Sequence, residues 1–133
     1  SLTEPFSVEL RLEGGDEPAF IRTGLPRTLL RDLRRGRWVV QDALDLHGAT
    51  RVEASQWVAQ FLADAVNAGY RCVRIIHGKG LGSPGREPVL KNLVRGWLAR
   101  REEVLAYCQA RPTEGGEGAL VVLLRGGARR KAG

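Results

Sequence analysis

Apolar positions along this chain fall into two rhythms, one of period two and one of period 3.6, and the rhythms divide it into elements. Phe6, Val8, Leu10 and Leu12 alternate with Ser7, Glu9 and Arg11, which predicts a short half-covered strand ended by Gly14-Gly15. Arg27 to Arg35 then carries Leu29, Leu30 and Leu33 on one side and arginine on most of the other. This predicts a helix with Pro26 in its first turn and Gly36 closing it. Ala43 to His47 reads as a short strand stopped by Gly48. Thr50 and Glu53 have capping-box spacing, in which each side chain satisfies a free amide at a helix start. That helix runs to about Ala68, with Gly69 as its C-cap. Glu53, Gln56, Gln60, Asp64 and Asn67 form its polar face, and Ala54, Val58, Phe61, Leu62 and Ala65 face the core.

Tyr70 to Ile76 is rich in β-branched residues and predicts a central strand, which runs into His77-Gly78-Lys79-Gly80 and a loop ending near Pro88. A second helix is expected from Pro88 to about Arg100, then a strand over Val104 to Ala110. Arg111 to Gly118 is a glycine-rich turn, and Ala119 to Leu124 is a last strand, apolar throughout. From Ala43 the order is β-α-β-α-β-β, an α/β fold with a mixed sheet. Its two βαβ units predict parallel pairing with right-handed crossovers, and the closing hairpin adds an antiparallel strand. Residues 43–125 form the expected domain, 1–42 an extension packed on it, and 126–133 a basic tail.

A length of 133 residues suits one domain with extensions, and 43% hydrophobic residues suffice for one core. No apolar run approaches the ~18 residues of a membrane span, and no basic start precedes an apolar segment as in a secretory signal. A cytoplasmic protein is the expectation. Cys72 and Cys108 lie inside apolar runs without close Cys or His neighbours. They read as buried free thiols in a reducing compartment, not as zinc ligands. The net charge of +6 is uneven: Arg22 to Arg37 carries +5 and Arg125 onward +4, leaving −3 for the rest. Basic flanks of this kind suit a polyanion, although solvated surface charge has the same composition.

The chemistry gathers at two strand ends. Asp45-Leu46-His47-Gly48 closes the first domain strand and His77-Gly78-Lys79-Gly80 closes the second, so the only two histidines of the chain fall at equivalent places. Sites in α/β sheets lie beyond the carboxyl ends of strands. Alternation puts Asp45 and His47 on one side of their strand. An imidazole can take or give a proton at a phosphodiester, a carboxylate two residues away can orient it, and Gly78, Gly80 and Lys79 suit a phosphate. Each pattern alone is weak, and His-Gly-Lys-Gly is not a P-loop. Their convergence carries the reading.

Leu44-Asp45-Leu46-His47-Gly48, then Ile75-Ile76-His77-Gly78-Lys79-Gly80, then Leu105 to Ala110 before Gly115-Gly116-x-Gly118-Ala119, resembles the small MutS-related (Smr) domain in its stand-alone bacterial form. The basic Leu33 to Arg37 segment resembles those proteins too. The resemblance implies a two-layer α/β sandwich, similar to the C-terminal domain of a bacterial translation initiation factor. It also implies endonuclease activity: DNA nicking in some members, messenger RNA cleavage in others, including on stalled ribosomes. The family's motifs fall on Asp45, His47, Gly48, His77, Gly78 and Gly80. In that frame His47 is general base or acid and Asp45 its orienter or a metal ligand, for instance to Mg or Mn. His77 is the partner acid or phosphate ligand, and Lys79 holds the phosphate. Arg86 and Lys91 are candidate backbone contacts, and Arg34, Arg35 and Arg37 give sequence-independent affinity. Trp38, beside Arg37, is the best base-stacking candidate, but the packing role, where the extension meets the domain, is the stronger of its two readings. Three readings stay open: a nuclease, a nucleic-acid- or ribosome-binding module using the same face, and a protein-interaction adaptor. DNA and RNA are not distinguished.

Overall fold

The Thr50 hydroxyl accepts from the Glu53 amide at 3.1 Å while the Glu53 carboxylate accepts from the Thr50 amide at 2.9 Å, so the capping box predicted by spacing is formed in full. The computed structural model describes residues 8–11, 17–79 and 89–126. Among the described residues there are six strands and three α-helices: β1 (Val8–Arg11), β2 (Pro18–Ile21), α1 (Arg27–Arg34), β3 (Ala43–Asp45), α2 (Arg51–Asn67), β4 (Cys72–Ile76), α3 (Val89–Ala99), β5 (Val104–Gln109) and β6 (Ala119–Leu124). Two short 3-10 turns, Pro112–Glu114 and Gly116–Gly118, join β5 to β6.

The strands form one mixed sheet in the order β1-β2-β5-β6-β4-β3. β3 pairs parallel with β4, as the first βαβ unit predicts. The second unit differs from expectation. β4 and β5 are not neighbours, because β6 lies between them and runs antiparallel to both. All six residues of β6 are buried. An interior lane pairs both edges of that wholly apolar strand and leaves no sticky edge exposed.

β2 is the element the periodicity did not predict. Its four residues are all buried, so it lacks alternation, and it adds an antiparallel strand to β5. Phe20 stacks on Tyr107 at 5.2 Å, and the Arg22 guanidinium donates to the carbonyls of Ala99, Arg101 and Val104. The segment before Ala43 is thus stitched into the same sheet.

Two apolar clusters flank the sheet. Phe20, Leu46, Val58, Leu62, Ile75 and Leu98 belong to the cluster under α2 and α3, the two-layer sandwich that was expected. Leu30, Leu33, Cys72, Cys108, Val121 and Leu123 belong to the cluster on the opposite face, which α1 covers over β2 and β5. Both thiols are free and buried. Burial pushes Cys72 up to about 11 and Cys108 up to about 12, which keeps them protonated and suits packing rather than metal binding. Trp38 is half-buried in this second cluster, with the Arg71 guanidinium 5.0 Å over its ring, so it serves as a packing residue. No helix among the described residues is long and apolar enough to cross a membrane.

Candidate functional site

The Asp45-Leu46-His47-Gly48 segment is a strand end folded over into a turn. Leu46 is fully buried and donates its amide to the Ile76 carbonyl at 2.7 Å, which carries the β3–β4 pairing one residue past the strand. The Ala49 amide then donates back to the Leu46 carbonyl at 2.9 Å, closing a four-residue turn. Gly48 stands third in that turn with φ +83°, the position and sign that a type II turn gives to glycine. The turn throws His47 outward and delivers the chain to Thr50, the N-cap of α2.

The result is a carboxylate–imidazole pair held by two local hydrogen bonds. Asp45 Oδ1 accepts from the His47 amide at 3.0 Å and from His47 Nδ1–H at 2.9 Å. The side chains are 52% and 77% exposed. The His47 amide first, and its imidazole second, hold the Asp45 carboxyl below the usual carboxylate range. The carboxylate is therefore ionised and fixes the tautomer that carries its proton on Nδ1, leaving Nε2 for a substrate. Asp45 is opposite Ile76, which packs in the cluster on the α1 face, whereas Leu44 and Leu46 pack under α2 and α3. The pair consequently stands on the α1 side of the sheet.

His77 has a different environment. Its residue is 5% exposed, its Nδ1–H donates to the Gly78 carbonyl at 2.6 Å, and its Nε2 is buried with no hydrogen-bond partner. Burial holds the imidazole below the ordinary histidine value; the Gly78 carbonyl opposes this, and Lys91 and Arg95 on α3 reinforce it. These neighbours, and its alternation with Val73 and Ile75, put His77 on the α2–α3 side. The two strand ends are therefore adjacent, as expected, but the imidazoles lie on opposite sides of the sheet. That geometry departs from the expectation that His77 is an acid partner to His47.

The glycine loop also departs from expectation. The amides of His77 and Gly78 both donate to the Gly118 carbonyl, at 2.9 and 3.0 Å, so the Gly78 amide is already engaged and is not a phosphate donor here. Gly78 is used for its backbone, with φ +89°. Lys79 is exposed, and its Cγ lies near the Cα hydrogen side of Gly118, where a Cβ would come within 3.4 Å. Gly80 and Arg86 lie outside the described residues, as do residues 127–133 of the basic tail. Lys91 sits in the first turns of α3, half-buried. Arg34 pairs with Glu17 at 3.4 Å, while Arg35 and Arg37 are exposed.

One residue was missed. Arg74 is a charge inside an otherwise apolar strand, on the α1 face two residues before Ile76, and its Nη1 donates to the Glu114 carbonyl at 3.0 Å. Its Nε is buried without a partner. The signal was the break in Cys72-Val73-Arg74-Ile75-Ile76, where every other residue is apolar. Among the described residues no three His, Cys, Asp or Glu side chains converge to hold a metal ion. Asp45 and His47 alone offer a sparse donor set, and one Asp45 oxygen is already bonded. A groove of about 450 Å³ lined by Ser55, Val58, Trp97, Arg100, Arg101, Glu102 and Glu103 lies between α2 and α3, away from the pair. The Asp45–His47 pair is itself exposed on an open face, a setting that admits a polymer better than a small molecule.

These features define a small mixed-sheet α/β domain with a carboxylate–imidazole pair beyond the carboxyl ends of its parallel strands. A family profile, the Smr domain, matches residues 44–125. The chain belongs to the Smr domain family. It is 38% identical over 112 residues to the probable DNA endonuclease SmrA of Escherichia coli K12, covering 84% of this chain and 60% of that protein. It is 36% identical over 105 residues to the ribosome rescue factor SmrB of Photobacterium profundum, covering 79% and 56%. The chain therefore spans somewhat more than half the length of these relatives. Among solved structures, YdaL, a stand-alone small MutS-related protein from Escherichia coli, superposes with a TM-score of 0.72 at 37% identity, covering 82% of this chain and 83% of that one. The Smr domain of Thermus thermophilus MutS2 gives 0.57 at 38% identity, covering 64% and 99%.

Proposed function

We propose that this protein is a nucleic-acid endonuclease whose proton carrier is His47, oriented by Asp45. The observation that carries the reading is the pair itself: an ionised carboxylate bonded to both the amide and the Nδ1–H of an exposed histidine at a strand's carboxyl end. A carboxylate so bonded holds an imidazole in the tautomer that acts as a base and stabilises the imidazolium that follows. One relative, named a probable DNA endonuclease, supports this reading, and several others, named ribosome rescue factors, support a ribosome- or nucleic-acid-related role.

In the proposed step His47 Nε2 takes the proton of the attacking oxygen, from water or a ribose 2′-hydroxyl, as the new P–O bond forms. The imidazolium then returns that proton to the leaving oxygen as the old P–O bond breaks. Asp45 keeps the ring aligned through both transfers. Lys79, at the same end of the sheet, offsets phosphate charge. His77 acts as a positioning residue: it locks the Gly78 carbonyl and helps the Gly118 carbonyl define the turn from which Lys79 projects. A divalent ion such as Mg or Mn would supply Lewis-acid activation of the phosphate if bound at Asp45. A messenger RNA or ribosomal substrate would set this work in the cytoplasm.

The test offers labelled single-stranded RNA, single-stranded DNA and supercoiled plasmid to the protein, with and without EDTA. Cleavage of one class identifies the substrate, and loss with EDTA adds a metal. Binding without cleavage of any of the three contradicts the nuclease reading and favours the binding module.

A further inference from the structure

The outward faces of α1 and α2 carry opposite charge, while α3 beside α2 adds Lys91 and Arg95. The outward face of α2 presents Glu53, Gln56, Gln60 and Asp64 with one cation, Arg51, at its start. α1, on the other side, exposes Arg27, Arg31 and Arg35 at successive turns, and Arg37 follows, also exposed. None of these four side chains forms an ion pair with a described residue. The Asp45–His47 pair stands on this same α1 side, and so does Arg74.

The segment after α1 is also fixed in place. Gly36 adopts φ +75°, and a Cβ there would come within 2.5 Å of the Arg111 guanidinium, which lies over its backbone. Arg111 Nη1 donates to the Arg35 carbonyl at 3.4 Å. Arg111 begins the turn whose Glu114 carbonyl takes Arg74 Nη1 and whose Gly118 carbonyl takes the His77 and Gly78 amides. One turn thus contacts the arginine segment, Arg74 and the motif loop together. From β5, under α1, to β3 is three strand spacings, about 14 Å at ~4.8 Å each. A nucleic-acid backbone crossing that distance places the arginines a few nucleotides from His47.

We propose that the α1 side is the track along which a nucleic-acid backbone reaches His47, with Arg31, Arg35 and Arg37 taking phosphates several nucleotides from the scissile one and Arg74 lying between. The proposal rests on the nuclease reading for the direction of the track, but its test reads binding alone. Polarised fluorescence of labelled 20-nucleotide oligo-rU and oligo-dT is titrated with the full chain from low to moderate salt. The triple variant Arg31→Gln/Arg35→Gln/Arg37→Gln is compared with wild type, and Arg51→Gln on α2 is the control.

Loss of three single-strand phosphate contacts flattens the log–log salt slope by about 2 and weakens binding by about 100-fold at 0.1 M salt. The control retains wild-type affinity, and circular dichroism shows the triple variant folded, since all three side chains are exposed. Unchanged affinity and slope in the triple variant overturn the track, as does an equal loss in the control or no binding by wild type. A wild type that binds along these arginines yet cuts nothing contradicts only the nuclease reading.

Discussion

Gly48→Ala isolates the cost of the turn that presents His47. An ideal Cβ at Gly48 meets no atom within 4 Å, so the substitution introduces no clash, and its whole effect comes from the backbone φ of +83°. Holding an L-residue in that region costs about 1–2 kcal/mol. A domain of this length unfolds with an entropy of about 0.28 kcal/mol per kelvin, so the melting temperature should fall by roughly 4–7 °C. Gly48→Asn should fall less than Gly48→Ala, because Asn tolerates the left-handed region better. Gly36→Ala, whose Cβ meets the Arg111 guanidinium as well, should fall at least as far as Gly48→Ala. Thermal melting followed by circular dichroism, with urea titration at fixed temperature, measures all three. A Gly48→Ala protein that melts with wild type, or an Asn variant no better than Ala, would refute the claim that a positive φ at this position shapes the site.

Asp45→Asn keeps an acceptor for the His47 amide but removes the charge and lets the amide group choose the wrong imidazole tautomer; cleavage should fall by about 10²–10⁴-fold with oligonucleotide affinity little changed, as single-turnover rates beside binding curves will show. Thr50→Ala removes the acceptor of the Glu53 amide and should cost about 0.5–2 kcal/mol in urea unfolding. His77 is held below its unfolded value by burial, so its contribution is intact above about pH 6.5 and is lost as pH falls toward the folded value, because the unfolded chain binds the proton first. Urea midpoints of wild type should therefore drop between pH 7.5 and 5, while those of His77→Gln change less; parallel profiles would show that His77 is not protected.

Much of this architecture was legible locally, and the parts that were not share a cause. Thr50 and Glu53 announced α2 because a cap is a contact between residues three apart. Asp45, His47 and Gly48 announced the turn because glycine at a positive φ is a local requirement. β2 left no such trace: Ala19, Phe20 and Ile21 are covered on both faces, so period two vanishes, and Pro18 at its start reads as a break. The insertion of β6 between β4 and β5 was equally hidden. Its unbroken apolar run signals two covered faces, but which strands flank it depends on contacts between distant residues.

The candidate site followed the same division. The strand-end positions of both histidines could be read from the chain, whereas their opposite sides depend on the parallel register that pairs Asp45 with Ile76. Likewise Gly78 looked like a phosphate cradle until its amide was found bonded to Gly118, forty residues away. Arg74 was visible as a charge within an apolar strand, but only the fold supplies its neighbour Glu114.

The central claim is that His47 carries the proton, and single-turnover cleavage by His47→Ala, with binding measured on the same sample, tests it most directly. The substrate is whichever nucleic acid wild type cuts. Because the His47 side chain is 77% exposed, its removal should leave the fold and the affinity intact. The account predicts cleavage lowered by at least about 10²-fold with binding unchanged. A folded His47→Ala protein that binds and cuts as wild type does would contradict it.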